Sequence, residues 1–212
     1  MEAEGRVGGS QALASGATAP ISLGQYGQAL TGNVSASFQE AVRKGNCYIA
    51  VDTTVRLLDA PDTVPVGMTV ANPAGSGKRL VLWYAAAAHN GTALTTGGVV
   101  ELTANVNTVA AAVAAGTAVT IRNCLLGGAA SSVASASVAA TLPAAGTGIL
   151  SLGLLSTGAA TVELAPAALA VWINGALILG PNTAVSFNST VALVGAGGGA
   201  INCTLVWEEI DN

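Results

Sequence analysis

From residue 47 to the C-terminus, apolar residues come in short runs separated by clusters of Gly, Asn, Ser, Pro and Asp. Runs of that length suit strands, and the clusters between them carry turn chemistry rather than helix caps. Strands are expected at 47–51 and 55–58, closed by Asp59-Ala60-Pro61-Asp62, then at 68–71, 80–86 and 99–104. Asn90-Gly91 marks a turn after the 80–86 run. Later strands are expected at 149–155, 161–164, 171–173, 176–179, 185–187, 190–194 and 201–207. Asn174-Gly175 is the dipeptide preferred in a type I′ turn, so 171–179 reads as a two-residue hairpin. Many short strands with regular turn signals point to a β-sandwich or barrel.

One segment is punctuated as a helix. Ser37 and Glu40 have capping-box spacing, Arg43 and Lys44 fall in the last turn, and Gly45 is a natural stop. Phe38 and Val42, four apart, would share its buried face. Ahead of it, residues 1–34 are rich in Gly, Ser, Ala and Gln and short of large apolar groups. Such a stretch cannot build a core. It is expected as a flexible or extended arm that orders against something else, with 35–212 forming a single β-rich domain. Residues 106–118 mix Ala with Val, Thr and Gly116 and stay open between helix and strand. The opening MEAEGRVGGSQ has no basic region leading into an apolar core, so no secretory signal is expected.

Charge changes the picture. Charged residues make up 8% of the chain, against roughly a quarter in a free-standing soluble domain. Beyond Arg122 there is no Lys or Arg, and only Glu163, Glu208, Glu209 and Asp211 carry charge. A surface so poor in charge is tolerable where other protein covers it, so the chain reads as a building block of an assembly. A net charge of −4 without a cluster of Lys and Arg argues against nucleic acid as the main partner, because phosphate neutralisation needs a basic patch. The uncharged run 123–162 is broken by Ser, Thr, Gly and Pro, and 167–179 is split by Asn174-Gly175. No membrane span is expected. Cys47, Cys124 and Cys203 are odd in number, far apart along the chain, and match neither zinc spacing nor a redox pair. They are expected as small packed thiols, reduced where the protein is made.

Three features invite chemistry. Asn72-Pro-Ala-Gly-Ser-Gly-Lys78 looks like a phosphate-binding loop, but Asn72 replaces the first Gly and Arg79 the metal-binding hydroxyl, and LVLWY after it reads as a strand. A tight strand-connecting loop is expected instead. His89, the single histidine, stands beside a turn signal without a hydrolase or metal motif and is expected as an exposed turn residue. Trp83, Tyr84, Trp172 and Trp207 suit core or subunit-interface packing, with a sugar-binding platform as the competing use. No catalytic, cofactor-binding or metal residue is singled out, and neither an enzyme nor a cofactor is expected.

Phe38-Gln-Glu-Ala-Val-Arg-Lys-Gly-Asn46, the loop 72–78 with its apolar strand, Gly180-Pro181-Asn182 and the closing Val206-Trp-Glu-Glu-Ile210 together resemble small virion structural proteins of tailed bacteriophages. That group includes candidate head decoration, or cement, proteins. The resemblance covers most of the chain from residue 35, and its motifs are structural. It implies a mainly β fold: a β-sandwich or jelly-roll-like body with one short helix and the N-terminal arm. It also implies a decoration protein made in the bacterial host cytoplasm and placed on the capsid surface. There it would bind the major capsid protein, assemble as a homotrimer and stabilise the head, with the arm clamping neighbouring subunits. The alternative is a tail- or fibre-associated module that binds a receptor glycan.

Overall fold

The computed structural model describes residues 37–89, 94–106, 116–128, 131–155, 168–195 and 201–212. The expected arm, the Asn90-Gly91 turn, the strand at 161–164 and most of the undecided 106–118 segment lie outside them. Helix α1 (Ser37–Arg43) ends as its sequence directs. Gly45 takes φ +74°, its N–H bonds Val42 O at 2.9 Å, and Asn46 N–H reaches Ala41 O at 3.1 Å. These are the two bonds of a Schellman stop, which needs the left-handed conformation that glycine adopts freely. Ala41, rather than Phe38 or Val42, is the buried residue of this helix.

The apolar runs pair into two six-stranded antiparallel sheets. In the first, β10 (Ala168–Trp172), β3 (Lys78–His89), β14 (Ile201–Asp211), β1 (Cys47–Arg56) and β7 (Ile121–Asn123) lie side by side, and β11 (Ile178–Leu179) also pairs with β3. The second runs β6 (Thr117–Ala118), β8 (Ser135–Val138), β2 (Thr69–Asn72), β12 (Thr183–Ser189), β5 (Gly98–Val106) and β9 (Thr147–Leu155). A short ribbon joins β4 (Leu94–Thr96) to β13 (Val194–Gly195). Leaving aside β4, β6, β7, β8, β11 and β13, the main strands are β1, β2, β3, β5, β9, β10, β12 and β14. They divide between the sheets as β10-β3-β14-β1 against β2-β12-β5-β9, changing sheet at every step except from β5 to β9. This interleaving of two four-stranded sheets is the strand order of a jelly roll.

One core lies between the sheets. Leu80, Leu82, Ala85, Ala87, Ile201, Leu205 and Trp207 come from the first, and Val70, Val100, Leu102, Val185 and Phe187 from the second. Trp207 is fully buried and stacks on Tyr48 at 6.3 Å between centroids. Along β3 the inward positions change parity, from 80 and 82 to 85, 87 and 89. The cause is a β-bulge at Trp83, where Val206 faces Tyr84 but the next residue, Trp207, faces Leu82. This shift corrects the expectation for His89. The strand runs on through it, alternation turns its side chain inward, and it is buried rather than exposed at a turn.

Two other expectations are corrected. The runs 47–51 and 55–58 join into the single strand β1, because Asp52 bridges the polar gap between them. Its carboxylate accepts Thr54 N–H at 3.0 Å and Arg56 Nε–H at 2.7 Å across a register shift. The 171–179 hairpin has the expected turn but not the expected reversal. Asn174 (φ 52°) and Gly175 (φ 79°) make the type I′ turn, closed by Ala176 N–H on Ile173 O at 3.0 Å. Both flanks then pair with β3, Trp172 opposite Tyr84 and Ile178 opposite Val81, so the turn is a bump on one edge rather than a corner. Ile173 and Gly175 give their N–H groups to Trp83 O and Leu82 O, on and beside the bulge.

The link from β1 to β2 yields two tests. A Cβ on buried Gly67 would collide with the backbone carbonyl oxygen of Phe187. Gly67→Ala is therefore expected to cost about 2–3 kcal/mol in urea unfolding, while Gly180→Ala, with open space around it, stays within about 0.5 kcal/mol. In the same link, burial holds the Asp59 carboxyl above its ordinary value, although its Oδ1 accepts Val66 N–H at 3.2 Å. The native state thus binds this proton more tightly than the unfolded chain. Its contribution to stability is largest at low pH and falls as pH rises from the ordinary carboxylate value through the raised one. Asp59→Asn should remove that slope and stabilise the protein at neutral pH; unchanged pH dependence of the denaturation midpoint would contradict it.

Candidate functional site

The outer face of the first sheet is mostly apolar and partly exposed. Strand register places Trp172, Tyr84, Val206 and Ile49 in one row, ending opposite Arg122 of β7. The next row holds Ala170, Ala86, Thr204 and Val51, and a third pairs Ala88 with Asn202. On the other side Ile178, Val81, Glu208 and Cys47 line up. Glu208 sets one charge within these rows, and Arg122 places another at the edge. Trp172 is 60% exposed and packs against Tyr84 at 4.9 Å between ring centroids, with the planes tilted by 55°. Trp83 is buried and gives its indole N–H to Glu208 Oε2 at 3.3 Å. At the far end Lys78 pairs with Asp211 at 2.6 Å, and Arg79 Nε–H bonds Asn212 at 2.8 Å. Four strands over five residues cover roughly 300 Å² of sheet, within which Trp172, Ile178 and Val51 are the large apolar side chains left exposed among the described residues.

The second sheet has the opposite character. Its outer side carries Thr69, Thr103, Asn105, Ser186 and Asn188, all buried. Thr69 and Ser186 hydroxyls bond at 2.8 Å, Thr103 donates to Asn188 Oδ1 at 2.8 Å, and Asn105 donates to Ala144 O at 2.6 Å. Ala140 and Leu142 cluster there with Ala71 and Ala184. The chain covers this polar face with its own loop and bonds these five side chains, leaving the buried Ser135 and Ser137 hydroxyls without a partner among the described residues, whereas on the apolar face Trp172, Ile178 and Val51 stay exposed.

A cleft of about 270 Å³ opens where β1 outruns β7. Thr53, Thr54, Thr117 and Thr120 line it with Asp52, Arg56 and Arg122, above an apolar floor that includes Ile49 and Val51. Asp52 and Arg56 are committed to each other at 2.7 Å. The cleft therefore offers hydroxyls and the Arg122 guanidinium beside the apolar face.

The residues singled out in the sequence are dispersed. Trp207 serves the core, Trp83 is buried beside Glu208, and Tyr84 and Trp172 meet on the open face. The loop 72–78 leads directly into β3, as expected of a connector. Cys203 is buried alone in the core, but Cys47 and Cys124, distant along the chain, stand 3.2 Å apart between their sulfurs. The antiparallel pairing of β1 with β7 closes that gap, which spacing alone did not reveal. Among the described residues no group of His, Cys, Asp and Glu is placed to hold a metal ion, and no helix is long and apolar enough to cross a membrane. No family model, no curated protein and no solved structure matches the chain.

Asn72 defines what the loop does. Its amide donates to Lys78 O at 2.8 Å and to Leu179 O at 3.0 Å, tying β2 to the start of β3 and to β11. Asn72→Ala orphans both carbonyls and should cost about 1–3 kcal/mol. Magnesium ATP should leave the melting temperature unchanged. A nucleotide-dependent rise that disappears in Lys78→Ala would overturn the structural role.

Proposed function

We propose that this chain is a structural subunit of a virion: a decoration protein that sits on a tailed-phage head, binds the major capsid protein and stabilises the shell as a homotrimer. The observation that supports it best is the apolar outer face of the first sheet. A jelly roll is a scaffold for many functions, so the argument rests on that face and on the scarcity of charge. Burying the face against copies of itself removes Trp172, Ile178 and Val51 from water. Closed cyclic symmetry limits the assembly, whereas an open-ended contact would aggregate. A standard interface takes about 800 Å² from each partner, so the contact must extend beyond the face onto its rim. A ligand that binds the assembled lattice better than free capsid subunits shifts the equilibrium toward the intact shell.

A second reading is favoured by the cleft. Threonine hydroxyls and Arg122 beside exposed aromatic rings could hold a sugar, which suits a receptor-binding module of a tail or fibre. The two readings part in one set of measurements. Sedimentation equilibrium of the full chain should give a trimer. Trp172→Ala and Ala170→Arg should weaken it by about 2–4 kcal/mol while leaving circular dichroism unchanged. Particles lacking the protein should rupture at lower temperature. Particles equally robust to heat but unable to adsorb to cells would replace the cement role with the receptor-binding one.

A further inference from the structure

Cys47 opens β1 and Cys124 directly follows β7. Tyr48 faces Asn123, so one step outward along the ladder brings the two cysteines opposite each other. Cys124 N–H bonds Cys47 O at 2.9 Å and holds that register. Asn123 clamps the approach from both sides: its amide donates to Gly45 O at 2.7 Å, and its Oδ1 accepts Leu125 N–H at 2.8 Å. A hydrogen-bonded antiparallel pair sets its Cα atoms about 5.5 Å apart, inside the span of about 4.4–6.8 Å that a disulfide tolerates. With the sulfurs at 3.2 Å, a bond requires them to close by about 1 Å. Cys203 cannot compete. Cys47 faces Glu208, five positions along β14 from Cys203, a distance of about 17 Å.

We propose that Cys47 and Cys124 are a redox-responsive pair that closes to an intramolecular disulfide in an oxidising medium and locks β7 onto β1. The oxidant is a small-molecule disulfide. The Cys124 thiolate attacks one of its sulfurs, expels the first thiolate and forms a mixed disulfide. Cys47 then loses its proton to solvent, and its sulfur displaces the second thiolate from Cys124. Two protein thiols and one external disulfide thus give one protein disulfide and two external thiols, with no other electron acceptor. The order of the steps follows from the surroundings. Cys124 is half-exposed, and the hydrogen bond from the Cys47 thiol favours its thiolate. Cys47 is buried; donating to Cys124, then burial and the nearby Glu208 charge, keep it protonated. This suits Cys124 to attack first and Cys47 to resolve.

The lock has a mechanical target. β7 is a three-residue edge strand that, among the described residues, pairs with β1 alone, and it carries Arg122 into the cleft. The cross-link closes a 77-residue separation in the chain, which restricts the unfolded ensemble far more than a short loop would. The inference does not depend on the assembly proposed above.

Full-length protein purified with reductant and then exposed to oxidised glutathione tests it. Peptide mapping without reduction should join the Cys47 and Cys124 peptides with loss of two hydrogens, while Cys203 stays unreactive until the chain is unfolded. The melting temperature should rise on the order of 10 °C and return with dithiothreitol. Cys124→Ser, at the more exposed position, should show neither change, and Cys47→Ser should trap a glutathione adduct on Cys124. Three free thiols after oxidation, an unresolved adduct on the parent chain, an intermolecular cross-link, or an equal thermal shift in Cys124→Ser would each overturn the proposal.

Discussion

The insertion of the last strand between the third and the first is the constraint on which the rest of the structure depends. β14 pairs with β3 from Ile201 opposite His89 to Asp211 opposite Lys78, and with β1 from Cys47 opposite Glu208 to Arg56 opposite Ile201. It supplies Ile201, Cys203, Leu205 and Trp207 to the core. Without it, β1 and β10-β3 would be unconnected pieces, each with one apolar side and no partner across it. The first sheet therefore cannot form until β14 is present, and its pairings join distant parts of the chain. Loop closure must be paid before such contacts reward it, which places this fold among the slow ones.

The two outer faces explain why so little charge suffices. On the second sheet the polar residues are not a solvated surface. They bond to one another and to the loop laid over them, and each buried hydroxyl or amide that finds a partner avoids a penalty of about 1–3 kcal/mol. That side is covered within one chain, with the Ser135 and Ser137 hydroxyls left unbonded among the described residues. The first sheet keeps Ala, Val, Ile, Tyr and Trp outward, with Glu208 set among them on β14. Trp172 stays 60% exposed even while it packs on Tyr84, and this asymmetry is the physical reason to look for a protein partner on this side.

Local chemistry was legible in the sequence; direction and proximity were not. The Schellman stop at Gly45, the type I′ geometry at Asn174-Gly175 and the connector at 72–78 depend on residues next to one another, and all formed as their composition dictates. Whether the 174–175 turn reverses the chain depends on what its flanks pair with, and β3 captures both. The burial of His89 depends on one extra residue at Trp83, which flips the parity of everything after it. No periodicity count shows a bulge in advance. The meeting of Tyr84 with Trp172, and of Cys47 with Cys124, required the sheet order itself.

β1 ties these features into one mechanical unit. Its inward residues Tyr48 and Ala50 belong to the core, and its outward residues Cys47, Ile49 and Val51 belong to the thiol pair and the apolar face. Beyond Ala50 it outruns its neighbour β7 and forms a wall of the cleft. An exposed length of strand is an invitation to pair with foreign chain, and here the bonded Asp52 and Arg56 break its regularity where β7 no longer covers it. Stiffening β7 therefore stiffens the border of the face that a partner would meet. Less order is then lost on contact, and a rigid surface binds with a smaller entropy cost than a mobile one.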